Sequence, residues 1–353
     1  MKVGIITFCR ANNYGAVLQC FALQETLKSF GHDVQIINYK QPFVEENNKL
    51  FSMNFIRHHK KEIKKIVMRF TRHLPYRAKV CKYFNDFRKK FLSLTVPCNQ
   101  NCIPNNFDAF IIGSDQLWTT EHTGNKLDPV FTANFNNSHA LIYSYAISSN
   151  EKSIQHFNIK DLSNIAHRFR VLSFREQNIC DYVSSKLNVK CRCDIDPTLL
   201  ALPKIWEPLI NTSWEQKKYI VVYQARALPG KERLLFEKAR KLAEKQQWGI
   251  IDLSSYKFSP SDFVSIIKYA QCVVTTSFHG AAFALRFNRP LWVVQLNDGH
   301  DGRCTNLLKL INAEKCICKL EEDLQYIPEL DYNDINDQLA QVAANSIKYL
   351  KGL

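Results

Sequence analysis

The chain has 353 residues, of which 46% are hydrophobic and 12% aromatic, and its formal net charge is +14. This length exceeds a single ordinary core and predicts two domains, while the apolar content excludes an intrinsically disordered chain. No apolar run has the length of a membrane span, and the first residues predict a strand and not a signal peptide, so we expect a cytoplasmic protein.

The twelve cysteines do not change this expectation. None of them forms a Cys-x-x-Cys pair, and the close pairs Cys191/Cys193 and Cys316/Cys318 are separated by one residue. Zinc sites and disulfide frameworks use other spacings. We therefore expect reduced thiols that pack as small apolar groups, and no metal site.

Strand and helix patterns alternate along the first half of the chain, which is typical of a parallel α/β sheet. Strands are predicted over residues 3–8, 34–39, 107–112, 141–147, 170–174 and 189–195. The predicted helices are a segment through Leu18, Leu23 and Leu27 that stops at Gly31, then residues 160–169 and 176–187. Asp196 and Pro197 break the pattern.

A second alternating set begins near Lys218. Its strands are predicted over residues 219–223, 249–253, 272–276 and 291–295, and its helices over residues 231–246, 261–270 and the segment after His279. We therefore predict two Rossmann-like domains in series, residues 1–206 and 207–353, with a ligand cleft between them. A last helix, over about residues 334–350, is expected to brace back on the first domain.

The positive charge is concentrated in an insertion of the first domain, at about residues 45–100. Residues 57–90 contain thirteen lysines or arginines against two acids, Glu62 and Asp86. Apolar residues recur near helical spacing at Ile56, Ile63, Val67, Phe70 and Leu74. Two interpretations stay open: a basic helix that lies on an anionic membrane surface, or a solvated insertion that packs on its own domain. We expect no nucleic-acid partner, because no nucleic-acid module is recognisable.

The segment Val273–Phe283 places a histidine where a buried strand ends and a helix begins. The free N–H groups and the dipole of a helix's first turn stabilise anions at this edge of a parallel sheet. His279 is therefore a candidate proton carrier, with Gly280 directly behind it. The alternative is a capped helix start in which Ser277 or Thr276 satisfies the backbone donors and His279 only packs.

Polar residues also follow other predicted strands, at ends that meet along one edge of a parallel sheet. They are Asn12, Asn13 and Tyr14 after the first strand, Ser114, Asp115 and Gln116 after the third, Arg175 and Glu176 after the fifth, and Gln224 and Arg226 in the second domain. One such residue is more often a cap or a surface residue, but several together predict a functional crevice.

Five groups of residues, in order along nearly the whole chain, resemble the polysaccharide pyruvyl transferase family. They are Val3–Phe8 with Asn13–Ala16 and Leu18–Gln19, then Gly113–Trp118, Ser173–Glu176, Asp196–Leu200 and Ser277–Gly280. The chain departs from the family pattern at Thr119, where Asn is expected, and at Ala281, where Thr often occurs. The resemblance implies a GT-B-like fold and transfer of the pyruvyl group of phosphoenolpyruvate to a sugar diol as a ketal, in the synthesis of a capsule or exopolysaccharide.

The implied chemistry gives donor-binding roles to Arg175 of the first domain and to residues of the second domain, which we expect to be the phosphoenolpyruvate side. Arg175, Arg226 and Arg303 are the expected donor-binding cations, because a guanidinium grips an oxyanion with two parallel hydrogen bonds. Ser277, Phe278 and Gly280 are the other expected donor-binding residues. His279 is the expected general acid, because a bound dianion favours the protonated form of its imidazole.

The first domain is expected to bind the acceptor, through Asn12, Asn13, Tyr14, Gln116 and Trp118. Asp115 is the candidate base for the acceptor hydroxyl, or alternatively the N-cap of a helix that begins near Gln116. No metal or further cofactor is expected, since phosphoenolpyruvate is a co-substrate. The resemblance allows a lipid-linked, galactose-containing acceptor. With such an acceptor, the basic stretch is expected to bind the inner face of the cytoplasmic membrane.

Two alternative functions stay open. A nucleotide-sugar glycosyltransferase binds its diphosphate at the same helix start, but it is expected to carry a carboxylate for the ribose. Residues 280–287 contain no acid, and Asp298 and Asp301 lie far along the following loop. The second alternative is a non-catalytic glycan-binding or scaffold protein, in which replacement of His279 by alanine leaves polysaccharide production unchanged.

Overall fold

The computed structural model describes residues 1–49, 74–135, 139–200 and 203–353. Residues 50–73, which include the first half of the basic stretch 57–90, lie outside the described residues. The chain divides into two compact units, unit 1 (Met1–Pro197 with Leu353) and unit 2 (Thr198–Gly352). Among the described helices, none has both the length and the apolar character needed to cross a membrane.

Unit 1 is built on a six-stranded parallel sheet in the order β2-β1-β3-β4-β5-β6. The strands are β1 (Lys2–Ile6), β2 (Asp33–Ile36), β3 (Ala109–Asp115), β4 (Leu141–Ile147), β5 (Leu172–Phe174) and β6 (Cys191–Cys193). All seven residues of β3 are buried, as expected for a central strand covered on both faces. The apolar runs seen in the sequence are therefore inner strands of the sheet.

Helices connect these strands and cover the sheet. They are α1 (Tyr14–Ser29), α2 (Pro42–Asn48), α3 (Leu74–Phe91), α4 (Glu151–Gln155), α5 (Ile159–Ala166) and α6 (Gln177–Leu187). The sequence did not predict α2 and α4, and it predicted α3 only in part. On α3, Phe84 and Phe87 are buried, and the ring of Phe87 lies 6.2 Å from that of Phe21 in α1. This packing fixes the basic helix to the body of unit 1.

One glycine of β3 is required by close packing. The φ angle of Gly113 is +131°, and a Cβ atom there would lie 2.0 Å from the carbonyl oxygen of Tyr145 in β4. Any side chain at this position would force the two strands apart. The glycine therefore shapes the end of β3, where Ser114 and Asp115 follow.

Unit 2 contains a five-stranded parallel sheet in the order β11-β10-β9-β7-β8. The strands are β7 (Tyr219–Tyr223), β8 (Gly249–Asp252), β9 (Cys272–Thr275), β10 (Leu291–Val294) and β11 (Ile317–Cys318). The helices are α7 (Pro197–Leu200), which begins at the unit boundary, α8 (Leu234–Gln246), α9 (Pro260–Tyr269), α10 (Phe278–Arg286), α11 (Gly302–Leu310) and α12 (Tyr332–Lys351). Two parallel sheets in a mixed α/β chain confirm the predicted fold class.

Local sequence explains how the key helices of unit 2 begin. Ser259 and Asp262 form a capping box at the start of α9, with Pro260 in the first turn. The last helix, α12, is capped by the carboxylate of Asp331. It starts two residues before the predicted position, and its expected bracing on the first domain stays a prediction.

Candidate functional site

The start of α10 is the centre of the candidate site in unit 2. Strand β9 ends at Thr275, and Ser277 is the N-cap residue, with the extended backbone (φ −108°, ψ 135°) that this position needs. The Ser277 side chain makes no capping hydrogen bond. Of the predicted alternative, in which Ser277 or Thr276 satisfies the backbone donors and His279 only packs, the capping by Ser277 is therefore wrong. The Thr276 hydroxyl donates to the Arg226 carbonyl at 3.3 Å. The first-turn N–H groups lie at the positive end of the helix dipole.

Thr275 anchors the turn that leads into this helix. Its Oγ1 atom accepts a hydrogen bond from the Ser277 N–H at 2.9 Å and donates one to the Tyr223 carbonyl at 2.6 Å. The backbone of Gly280 packs directly on it, because a Cβ atom at Gly280 would lie 2.3 Å from Thr275 Oγ1. Glycine is thus needed at position 280 because helix α10 and strand β9 approach each other closely there.

His279 is the second residue of α10 and is largely buried, with 8% of its surface exposed. Its ring packs edge-on against that of Phe278, with centroids 5.3 Å apart and planes at 88°. Phe278 is 7% exposed. The imidazole is therefore held in one place by its neighbours, in the first turn of the helix, with a small part of its surface accessible.

Arg226 lies beside the same turn. Its Nη1 atom donates to both carboxylate oxygens of Asp298, at 2.5 and 2.7 Å, and its Nη2 atom donates to Asp301 at 3.1 Å. Nη2 also contacts the Thr276 carbonyl at 3.2 Å, one residue before the N-cap. The side chain is 22% exposed. Two carboxylates thus already balance the guanidinium that was predicted to grip the donor.

The sequence missed this role of Asp298 and Asp301. They follow β10 and are 72 and 75 residues away from Arg226, so only the sheet order brings them together. Arg303 is nearby in sequence, as the second residue of α11, and is partly exposed. Helix α11 packs against α10, which places the predicted Arg303 on an element that touches the histidine helix.

Arg175 belongs to unit 1 and is buried, with 4% of its side chain exposed. Its Nη1 atom donates to Asp196 at 2.8 Å, its Nε atom to Glu176 at 3.1 Å and its Nη2 atom to the Ser148 hydroxyl at 2.8 Å. Burial works to lower the pKa of this guanidinium, but the nearby carboxylates outweigh it and raise the pKa overall. The structure therefore places Arg175 in a buried ion-pair network, where it holds carboxylates of the protein itself.

Asp115 is the last residue of β3, is 9% exposed and has a φ angle of +85°. One carboxylate oxygen accepts the N–H of Gln116 at 2.9 Å. Its charge also contributes to the raised pKa of Arg175, so the carboxylate lies within electrostatic range of that network. No α-helix begins near Gln116; a short 3₁₀ helix starts later, at Thr120–His122. The predicted N-cap role is therefore wrong.

The predicted acceptor-binding residues fall into two groups. Tyr14 and Trp118 are fully buried, and the Trp118 Nε1 atom donates to the Phe131 carbonyl at 3.1 Å, so both side chains lie in the core. Gln116 is partly exposed and its Oε1 atom lies 3.0 Å from His122 Nε2.

Asn12 and Asn13 follow β1 and are partly exposed. Asn13 caps α1 through the Ala16 N–H at 3.2 Å. Asn12 accepts a hydrogen bond from Arg88 of α3 at 2.8 Å. The structure thus keeps these two asparagines and Gln116 at the surface of unit 1, at the carboxyl ends of β1 and β3.

Within the described residues, no group of three or more His, Cys, Asp or Glu side chains is arranged to hold a metal ion. A family model described as polysaccharide pyruvyl transferase matches residues 13–297. The chain belongs to the polysaccharide pyruvyl transferase family. As a member of this family it is a transferase. A search of curated proteins found no sequence relative.

Several solved structures have a similar fold. A protein described as a UDP-N-acetylglucosamine 2-epimerase from Listeria monocytogenes aligns with a TM-score of 0.51 and 9% identity, over 99% of this chain and 95% of that one. The E. coli heptosyltransferase WaaC, solved with ADP, gives a TM-score of 0.41 and 15% identity, over 99% and 98%. At 9% identity, the likeness to the epimerase shows a shared fold alone.

Proposed function

We propose that the protein transfers the pyruvyl group of phosphoenolpyruvate to two hydroxyls of a galactose-containing acceptor, forming a ketal during the synthesis of a surface polysaccharide. Family membership supports the reaction class. The observation that carries the proposal is the start of α10, where an uncapped helix terminus, the Ser277 hydroxyl and His279 lie together beside Arg226. This arrangement suits a small dianion that must receive a proton.

The reaction balances with protons from the acceptor alone. The methylene carbon of phosphoenolpyruvate gains one proton and becomes the methyl group of the ketal. Two acceptor hydroxyls form C–O bonds to the adjacent carbon, whose bond to the phosphate oxygen breaks. Of the two hydroxyl protons released, one replaces the proton used on carbon and the other leaves with phosphate.

His279 is the general acid in this scheme, and Asp115 is the base that takes a hydroxyl proton. The first-turn N–H groups of α10, with Arg226 and Arg303, hold the phosphate and carboxylate of the donor. Arg175 acts indirectly, by holding the carboxylates of Glu176 and Asp196 in place at the end of the unit 1 sheet. Asn12, Asn13 and Gln116 supply hydrogen bonds to the sugar.

The test is to incubate the protein with phosphoenolpyruvate and a panel of galactosides, following phosphate release and the carboxyethylidene adduct by mass spectrometry. We expect both products with the wild type and a loss of about 100-fold or more in kcat for His279→Gln. His156→Gln is the matched control, because His156 is exposed and lies in unit 1. Phosphate release that is absent with every acceptor, from folded protein, contradicts the proposal. Thermal stabilisation by a nucleotide-sugar in place of phosphoenolpyruvate favours the glycosyltransferase instead.

We further propose that the acceptor is lipid-linked and that α3 binds an anionic membrane surface. The helix exposes four lysines, at positions 79, 82, 89 and 90, while its opposite face packs on unit 1. Each basic residue close to an anionic surface contributes about 1 kcal/mol to binding. The proposal therefore predicts charge-dependent membrane association.

Vesicle sedimentation tests this part. Reversal of Lys79, Lys82, Lys89 and Lys90 to Glu should abolish binding to phosphatidylserine vesicles and leave turnover of a soluble acceptor intact. The matched control reverses four exposed lysines of unit 2, Lys241, Lys245, Lys309 and Lys315, and changes the net charge equally. Equal loss of binding in both variants would show that only net charge matters, and would reject α3 as the docking surface.

A further inference from the structure

Arg88 is a buried cation on the inner face of α3, with 7% of its surface exposed. Its Nη1 atom donates to the carbonyls of Arg10 and Ala11, both at 3.3 Å. Its Nη2 atom donates to the side-chain oxygens of Asn12 at 2.8 Å and Asn85 at 2.9 Å. The guanidinium therefore grips three consecutive residues of the loop after β1.

None of these four bonds goes to a carboxylate. The charge of Glu45 acts on Arg88, but this carboxylate is held by Arg10, whose Nε and Nη2 atoms donate to it at 2.5 and 3.0 Å. Burial lowers the pKa of Arg88. A buried guanidinium that bonds no carboxylate among the described residues is costly, and a packed apolar residue would stabilise the same helix contact better. The cost indicates a role beyond stability.

The loop that Arg88 holds contains Asn12, whose side chain is fixed from two sides. Its oxygen accepts from Arg88, and its Nδ2 atom donates to Cys81 Sγ, also on α3, at 3.4 Å. An amide has two N–H donors and two acceptor lone pairs, so one donor and one acceptor remain. Asn12 is partly exposed and can use them outward. Helix α3 thus sets the direction in which this amide points.

We infer that Arg88 is a positioning residue for the sugar acceptor, which holds the loop after β1 and so orients the Asn12 amide toward the acceptor hydroxyls. This inference rests on the proposed function, since it takes Asn12 as an acceptor contact. The inference also connects α3 to the acceptor site. One face of this helix exposes lysines, and the opposite face carries Arg88, which holds the loop after β1. Arg88 acts through Asn12 and not by contact with the reacting atoms.

The chain offers a matched control on the same helix. Arg77 also donates from α3 to two backbone carbonyls, those of Asn47 at 2.8 Å and Lys49 at 3.1 Å, but these lie at the end of α2. Arg77→Gln and Arg88→Gln therefore remove the same charge and the same kind of bond. They differ in whether the loop after β1 is released.

Steady-state kinetics with phosphoenolpyruvate and the galactoside that supports most phosphate release give the first test. We expect Arg88→Gln to raise the KM for the galactoside roughly tenfold or more, with the KM for phosphoenolpyruvate unchanged. Arg88→Lys should not rescue it, because one ammonium cannot reproduce the fork that spans Arg10 to Asn12. Arg77→Gln should behave as wild type. A galactoside KM unaffected by Arg88→Gln overturns the inference, while a wild type without phosphate release overturns the proposed function.

A double-mutant cycle and hydrogen exchange separate positioning from stability. Asn12→Ala and Arg88→Gln should be non-additive in galactoside KM, because both remove the same oriented amide; additive effects would refute the coupling. Amide exchange over residues 10–13 should accelerate in Arg88→Gln and not in Arg77→Gln, and this readout needs no turnover. If Arg88→Gln does not fold, Asn85→Ala loosens the same guanidinium from an exposed position. A galactoside KM and loop exchange at wild-type values in Asn85→Ala would then count against the role.

Discussion

Helix α10 packs closely on the sheet of unit 2: the backbone of Gly280 lies so close to Thr275 that an added Cβ atom would lie 2.3 Å from Thr275 Oγ1 and 3.0 Å from Thr275 Cβ. Thr275 cannot yield easily, since its hydroxyl bonds the Tyr223 carbonyl and the Ser277 N–H. The position of His279, one residue before Gly280, is therefore set by how closely helix and strand approach each other.

Gly280→Ala should displace the first turn of α10 and reduce turnover. Overpacking of this kind costs about 1–3 kcal/mol of unfolding free energy, and a shift of about 1 Å in a catalytic group costs about 100-fold in rate. Urea unfolding and kcat for phosphate release measure the two effects. The double variant Thr275→Ala/Gly280→Ala removes the clashing oxygen and should lose less stability than the two single changes added together. Strict additivity would mean that the contact does not limit the position of the helix.

Arg175→Ala should lower the free energy of unfolding, and this loss should be its main effect and not a weaker binding of the donor. Its side chain is the cation of a buried network with Glu176 and Asp196, and removal of one partner of a buried pair costs about 3–5 kcal/mol. We expect a lower urea midpoint. Arg192→Ala is the comparison, because Arg192 pairs with Asp194 but is 33% exposed and should lose less. An Arg175→Ala protein of unchanged stability, with only a raised KM for phosphoenolpyruvate, would instead assign Arg175 to direct donor contact.

Asp298→Asn should strengthen donor binding. In the structure the charge of Arg226 is shared with Asp298 and Asp301, so removal of one carboxylate leaves more positive charge beside the start of α10. We expect the KM for phosphoenolpyruvate to fall several-fold, with a steeper dependence on salt. A raised KM would show instead that Asp298 is needed to hold Arg226 in its binding position. Glu244→Gln, which removes one of the two carboxylates that pair with the exposed Arg240 on α8, controls for net charge.

The sequence predicted the sheets better than the site, for a physical reason. Strands β4 and β7 were predicted residue for residue, because an inner parallel strand is a continuous apolar run bounded by polar residues. The first strand was predicted to end two residues too late, because Phe8 is buried by packing on Phe131 without belonging to β1. An apolar pattern indicates which residues are buried, and buried residues also occur outside the paired strands.

Partners far apart in the chain account for most of what the sequence could not predict at the site. Strand ends identified Arg175, Glu176 and Arg226 as polar residues at the correct edge, but did not pair the arginines with Asp196 and Asp298. Those carboxylates lie 21 and 72 residues away, and which strands are neighbours decides whether they meet. The pairing of Arg88 with Asn12, 76 residues apart, has no local signal at all. Tyr14 and Trp118 were predicted to bind the acceptor, yet both side chains are fully buried in unit 1.

Alkaline pH should destabilise the folded protein by ionising its buried thiols, and Cys9 is one of these thiols. Burial raises the pKa of this thiol to about 12, against the opposing charges of Arg88 and Arg10, and its Sγ atom donates to the Ile37 carbonyl. In the unfolded chain the thiol ionises near its ordinary pKa of 9.0. Between these values the folded state keeps a proton that the unfolded state has lost, so stability is complete below the unfolded pKa and falls as pH rises toward the folded one.

The expected loss from Cys9 is about 1.4 kcal/mol per pH unit, or about 2 kcal/mol between pH 9 and pH 10.5. Urea unfolding at a series of pH values, followed by tryptophan fluorescence, gives the slope. Cys9→Ala should lower stability at neutral pH but make the slope shallower by that amount, while replacement of the exposed Cys102 should leave the slope as it is. An unchanged slope in Cys9→Ala would mean that the buried thiol ionises without unfolding the chain, and that its surroundings in unit 1 admit charge more readily than their burial implies.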